Sequence, residues 1–154
     1  MPTGTRVRIE PGKLLINGEW RDAAGGKTFE TIKPATAEAL TTIADASRDD
    51  VDAAVHAARN AFDDLSGPWR KMSASERGRV IWKIGELVER NIDELAELET
   101  LDNGKPIFES RYVDMPMVAD VFRYYAGWAT KLHGETININ ESAFTFTQRE
   151  PVGV

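Results

Sequence analysis

The sequence predicts an α/β chain: a small antiparallel β region, then a layer of helices, then a two-stranded β-ribbon. Three observations carry that reading. Asn17-Gly18 sits between extended runs, the strongest short hairpin signal, because both central residues must take positive φ. From Ser47 onward, apolar residues recur at helical spacing behind capping residues. From Thr136 the period returns to two.

The β region begins at Lys13. Leu14, Leu15 and Ile16 lead into Asn17-Gly18, and Glu19, Trp20 and Arg21 run back. Gly25-Gly26 turns the chain again. Thr28 to Ile32 alternates polar and apolar residues, and Leu40 to Ala44 makes a second strand across Pro34-Ala35-Thr36. Residues 1–12 read as a loose arm.

Ser47 and Asp50 resemble a capping box with Asp in place of Glu. Val51, Ala54, Val55, Ala58, Phe62 and Leu65 then form one helical stripe, which Ser66-Gly67-Pro68 ends. Ser73 and Glu76 cap the next helix, whose inner face is Val80, Ile81, Ile84, Leu87 and Val88. Asn91 with Glu94 predicts a break and a shorter helix through Leu95, Leu98 and Leu101. Gly104 then sits where a helix end favours positive φ, with Pro106 behind it. Asp102 and Lys105 are left as a charge pair at that joint. Asp114 predicts a new cap, with Pro116 in the first turn of a helix that runs to Gly134. In the tail, Ile137 and Ile139 lie on one strand and Phe144 and Phe146 on the other, with Asn140, Glu141 and Ser142 turning between them. The chain closes on apolar residues, Pro151 to Val154, and reads as interrupted there.

Composition narrows the function classes. With 42% hydrophobic and 29% charged residues, the chain is of ordinary globular type. A net charge of -6 argues against non-specific grip on nucleic acid or anionic membranes. There is no cysteine, which removes disulfides, thiolate metal sites and a cysteine nucleophile from these 154 residues. No apolar run reaches the length of a membrane span and no secretory signal core follows Arg6 and Arg8, so cytoplasmic residence is expected. His56 and His133 lack carboxylate or histidine partners at ligand spacing and read as structural. Neither a nucleotide-binding glycine loop nor a nucleophile elbow is present. Phe122, Tyr124, Tyr125 and Trp128 have the spacing of core packing. The residues alone describe an α/β piece without an active site.

Several stretches taken together resemble the N-terminal part of the aldehyde dehydrogenase family. They are Leu15-Ile16-Asn17-Gly18-Glu19-Trp20, Thr28 to Ile32, Asp49 to Val55, Leu98 to Pro106, Arg123 to Ala129 and Arg149 to Val154. Two turn residues depart from the family pattern: Lys33 replaces an asparagine before the proline, and Ala37 replaces a glycine.

The resemblance implies NAD(P)-dependent oxidation of an aldehyde to a carboxylic acid through a cysteine thioester. A glutamate activates water, and an asparagine with a backbone N–H stabilises the oxyanion. In the family those groups, and most NAD or NADP contacts, lie after the position matching Val154. The resemblance therefore implies residues 13–134 as the first part of the NAD(P)-binding domain. Residues 135–150 become an oligomerisation β-ribbon and residues 151–154 the start of the next segment. It implies a monovalent cation held by the Thr31 backbone carbonyl and by Asp102, and an aldehyde entrance tunnel at Met117. It also implies a homo-oligomer, dimer or tetramer, joined through Ile137, Ile139, Phe144 and Phe146. No catalytic or cofactor-binding residue is carried over, and the isolated chain is expected to be inactive. The alternative is a non-catalytic interaction module that pairs with a full-length dehydrogenase through its ribbon.

Overall fold

The structure is a computed structural model and describes residues 7–154; the first six residues of the expected arm lie outside the described residues. Strands β1 (Leu14–Ile16) and β2 (Glu19–Arg21) pair antiparallel, with Ile16 opposite Glu19. Asn17 at φ 53° and Gly18 at φ 79° make the two-residue turn with both central residues left-handed, as its sequence requires. Strands β3 (Thr28–Lys33) and β4 (Glu38–Ala44) form a second antiparallel pair, with a register shift between Thr31 and Ile32. Both extend beyond their sequence-predicted ends. The turn between them is closed by Ala37 N donating to Lys33 O at 2.8 Å. Ala37 takes φ 58°, so the glycine-type geometry survives without glycine and at a steric cost. Gly12 bridges to β4 through Gly12 N–Thr42 O and Ala44 N–Gly12 O, at 2.8 and 2.9 Å.

Both capping boxes form. Helix α1 (Arg48–Asp63) starts on Ser47, and Asp50 accepts from the Ser47 amide and hydroxyl at 2.9 and 2.7 Å. Asp50 also accepts from the Ala24 amide, tying α1 to the loop after β2. Those donors, the Ser47 hydroxyl first, hold its carboxyl below the usual carboxylate range. A short turn α2 (Pro68–Lys71) precedes α3 (Ala74–Arg90), which is capped by Ser73 and Glu76. The break at Asn91 is present, but the Asn91 side chain makes no N-cap bond to the helix that follows. Its Nδ2 instead donates backwards to Leu87 O, closing α3. Helix α4 (Ile92–Asn103) ends on Gly104 at φ 83°, whose amide donates to Thr100 O at 2.9 Å.

The segment after the joint differs from expectation. Helix α5 (Ile107–Glu109), a π-helical turn (Ser110–Asp114) and α6 (Met115–Trp128) run on without a break. Asp114 has helical dihedrals and makes no cap. Pro116 has no N–H and its ring crowds the carbonyl four residues back, so an uninterrupted α-helix could not pass through it. The π-turn immediately before it widens the ladder and lets the helix continue. At the other end α6 stops at Trp128, short of Gly134.

Helix α3 crosses α6 at backbone contact. Gly78 and Gly85 on α3 face Ala126 and Ala119 on α6, each pair two turns from the other. Ala119 is fully buried, and a Cβ on Gly85 would stand 2.9 Å from its carbonyl oxygen. Arg123 bridges the same crossing, with both terminal nitrogens on the Glu89 carboxylate and its guanidinium 5.5 Å from the Trp82 ring centre. Elsewhere the helices keep apolar faces in solvent. Val80 and Leu87 of α3, and Val121, Tyr124 and Tyr125 of α6, are exposed. Tyr124, Tyr125 and Trp128 thus line an open groove with Ile81 and Leu132 instead of packing inside a core, while Phe122 is half-buried.

In the tail, β5 (Thr136–Asn140) and β6 (Ala143–Phe146) pair as a ribbon around a turn in which Asn140 Oδ1 accepts from Ser142 N at 3.0 Å. The second strand is shorter than the alternation to Arg149 suggested. None of the described helices is long and apolar enough to cross a membrane.

Candidate functional site

The joint from Leu98 to Pro106 is held by polar contacts of Lys105. The charge pair expected between Asp102 and Lys105 does not form. Lys105 Nζ instead reaches Glu99 Oε1 at 3.1 Å and Asp114 Oδ2 at 2.5 Å. Gly104 explains the difference: its left-handed turn swings Lys105 back over α4 and towards the π-turn. Asp114, expected as a cap, serves as this lysine's partner. The Asp114 and Glu99 carboxylates raise the Lys105 ammonium above the usual lysine value. The stabilisation is full below that ordinary value and is lost as pH rises through the raised one. Beneath the triad, the fully buried Ser110 hydroxyl lies 3.0 Å from Thr100 Oγ1, fastening the π-turn to α4.

Thr31 and Asp102 are 71 positions apart in the chain, and the fold brings them to one groove. Its volume is about 400 Å³, and it lies between the β3–β4 pair and α4, with Glu99 and Met115 also in its wall. Thr31 Oγ1 and Glu99 Oε2 are both sheltered from solvent without a hydrogen-bond partner. Orphaned oxygens beside a carboxylate fit a hard, weakly held cation. Sequence reasoning singled out Thr31 and Asp102 and did not place Glu99 in the same groove. The available signal was its i−3 relation to Asp102, which puts both carboxylates on one side of α4.

Met117 is exposed in a different groove, with Tyr112, Val113, Pro116, Val121 and Tyr124. Two residues apart on a helix point to nearly opposite sides, so Met115 faces the groove of Thr31 and Asp102 and Met117 faces away from it. The ribbon residues Ile137, Ile139, Phe144 and Phe146 are all exposed. Register places Thr136 opposite Phe146 and Ile137 opposite Thr145, so Ile137 and Phe146 occupy opposite faces. The ribbon is apolar on both sides. His56 and His133 join no cluster, and among the described residues no group of three His, Cys, Asp or Glu side chains is placed to hold a metal ion.

A family model described as the aldehyde dehydrogenase family matches residues 20–154, and the chain belongs to that family. It is 52% identical over 142 residues to the mitochondrial aldehyde dehydrogenase of Mesocricetus auratus, covering 92% of this chain and 28% of that protein. It is 46% identical to human retinal dehydrogenase 2, covering the whole of this chain and 30% of the relative. Among solved structures, the NAD+ complex of the Bacillus cereus aldehyde dehydrogenase superposes with a TM-score of 0.90 at 47% identity. That match covers 93% of this chain and 29% of the other. The chain therefore spans a little over a quarter of these relatives' length.

Proposed function

We propose that this chain is the N-terminal portion of an NAD(P)-dependent aldehyde dehydrogenase, supplying scaffold, a cation groove and an oligomerisation ribbon but no reacting group. The observation that carries the reading is the close structural match to a NAD+-binding relative over most of this chain, at 47% identity. A bound nicotinamide would accept hydride from the substrate. The described residues do not fit a dinucleotide by themselves, since their sheets are two-stranded and antiparallel, without the parallel sheet and phosphate-binding turn such a ligand uses. No cysteine stands among the 154 residues to attack an aldehyde. What the chain's own residues do is position: the α3–α6 crossing and the Lys105 triad fix α4 and α6, and Met117 offers a flexible apolar side chain to an aldehyde entering over α6.

Thr31 and Asp102 hold a monovalent cation in this reading, supported by their shared groove and by the orphaned Thr31 hydroxyl. The ribbon joins subunits of a homo-oligomer, supported by its two apolar faces.

Two measurements test this. Purified chain mixed with NAD or NADP and acetaldehyde or benzaldehyde should produce no reduced cofactor, and specific turnover would refute the reading. Potassium chloride should raise the melting temperature above that in equal choline chloride, by a few degrees at about ten times the dissociation constant. Asp102→Asn should abolish that difference; its persistence would remove the cation assignment.

A further inference from the structure

The chain holds two Asn-Gly pairs, and the fold treats them differently. We propose that Asn17 is a spontaneous modification site of this protein, deamidating through a succinimide, while Asn103 is protected by the end of α4. In this reaction the backbone nitrogen of the following glycine attacks the asparagine Cγ. A C–N bond forms, the Cγ–Nδ2 bond breaks, and the glycine amide proton passes through solvent to the leaving nitrogen, which departs as ammonia. Water then opens the five-membered ring at either carbonyl, giving aspartate or isoaspartate. The only co-reactant is water.

The nucleophile decides which site reacts. Gly104 N is engaged, donating to Thr100 O at 2.9 Å. Gly104 also lies against Pro34, where an added Cβ would be 3.2 Å from the Pro34 Cβ. Freeing that nitrogen requires unwinding the end of α4. Gly18 occupies the second position of a two-residue hairpin turn, where the amide stands outside the ladder. Nothing lies within 4 Å of the position a Cβ would take on it. Asn17 is exposed, and the hairpin consists of two three-residue strands. Its open end is closed by the Lys13–Asp22 pair at 3.2 Å, an exposed contact of small worth. Such a ribbon opens at low cost, letting the Asn17 side chain swing into line with Gly18 N.

The consequence is local and directional. Isoaspartate inserts an additional carbon into the backbone of a turn that fixes the register of Ile16 against Glu19. Aspartate at position 17 still tolerates the left-handed conformation and leaves the pairing intact.

The test is incubation of the chain at mildly alkaline pH and 37 °C as a rough physiological setting, followed by trypsin and mass spectrometry. Residues 14–21 form one peptide, and residues 91–111 carry Asn103, located by fragment ions. The mass gain should build up in 14–21 roughly tenfold faster than at Asn103, the effect of one hydrogen bond that must break first. Incubation in water labelled with ¹⁸O should place one label at residue 17. In urea the two sites should react at similar rates. Amide hydrogen exchange supplies an independent readout, fast at Gly18 and protected at Gly104. Equal rates in native buffer, faster reaction at Asn103, or a protected Gly18 amide would overturn the proposal.

Discussion

Two glycine-to-alanine changes, on the two helices of one crossing, should move stability in opposite directions. At Gly85 an added Cβ would stand 2.9 Å from the Ala119 carbonyl oxygen and 3.4 Å from Arg123 Cγ. The first neighbour is backbone and cannot rotate away, so α3 and α6 must separate. Overpacking of this kind costs about 1–3 kcal/mol, against which alanine returns up to about 1 kcal/mol of helix propensity. A net loss of about 1 kcal/mol remains. At Gly127, near the end of α6, the added Cβ meets only Lys131 Nζ at 3.6 Å, the tip of a flexible side chain. There the propensity gain stands unopposed, at ~0.5 kcal/mol in a last turn. Urea titration followed by circular dichroism reads both variants. With a slope of about 2 kcal/mol per molar, Gly85→Ala should lower the midpoint by about 0.5 M and Gly127→Ala should raise it by about half that. Trp82 fluorescence reports the crossing itself, because Arg123 lies over that ring. A Gly85→Ala chain as stable as the parent would show that the helices are not held at backbone contact, and the account of this core would fail.

Ala37→Gly should stabilise the protein by about 0.5–1 kcal/mol, since a left-handed alanine is relieved while some unfolded-state entropy is gained. A melting temperature higher by about 2–4 °C per kcal/mol checks it, and a lower one would contradict the strain. The Asp50 carboxyl titrates below its ordinary value in the folded chain, so its stabilisation is present above that ordinary value and is lost as pH falls through the lowered one. Asp50→Asn should therefore be less stable than the parent at neutral pH, with the gap narrowing as acid is added; a gap independent of pH would refute the role assigned to its charge.

How much of this was legible beforehand differs by element. The capping boxes at Ser47 and Ser73, the Asn17-Gly18 turn and the Gly104 stop are local: each rests on residues within four positions of one another, and each formed as read. The Asp114 cap failed because Pro116 was weighed as a helix starter, whereas the helix had already begun at Ile107. A π-turn resolves that conflict, and the sequence carries no sign of it. Lys105 was paired with the nearest acid, Asp102, while Gly104 turned it towards Glu99 and Asp114. Glu99 carries no local signal beyond its place in the stretch Leu98 to Pro106, so its sheltered oxygen is a finding of the fold.

The family and the order of its elements were settled by the sequence, because Leu98 to Pro106 and Arg123 to Ala129 are distinctive as strings. Capping, turn chemistry and hydrophobic period were settled there too, since they act through bonded neighbours. Only the tertiary structure decided which distant groups meet. It matched Gly78 and Gly85 to Ala126 and Ala119, brought Thr31 and Asp102 to one groove, and put Ile137 and Phe146 on opposite faces of the ribbon. These depend on helix approach, strand register and the direction of one left-handed turn, and those quantities emerge when separated segments pack.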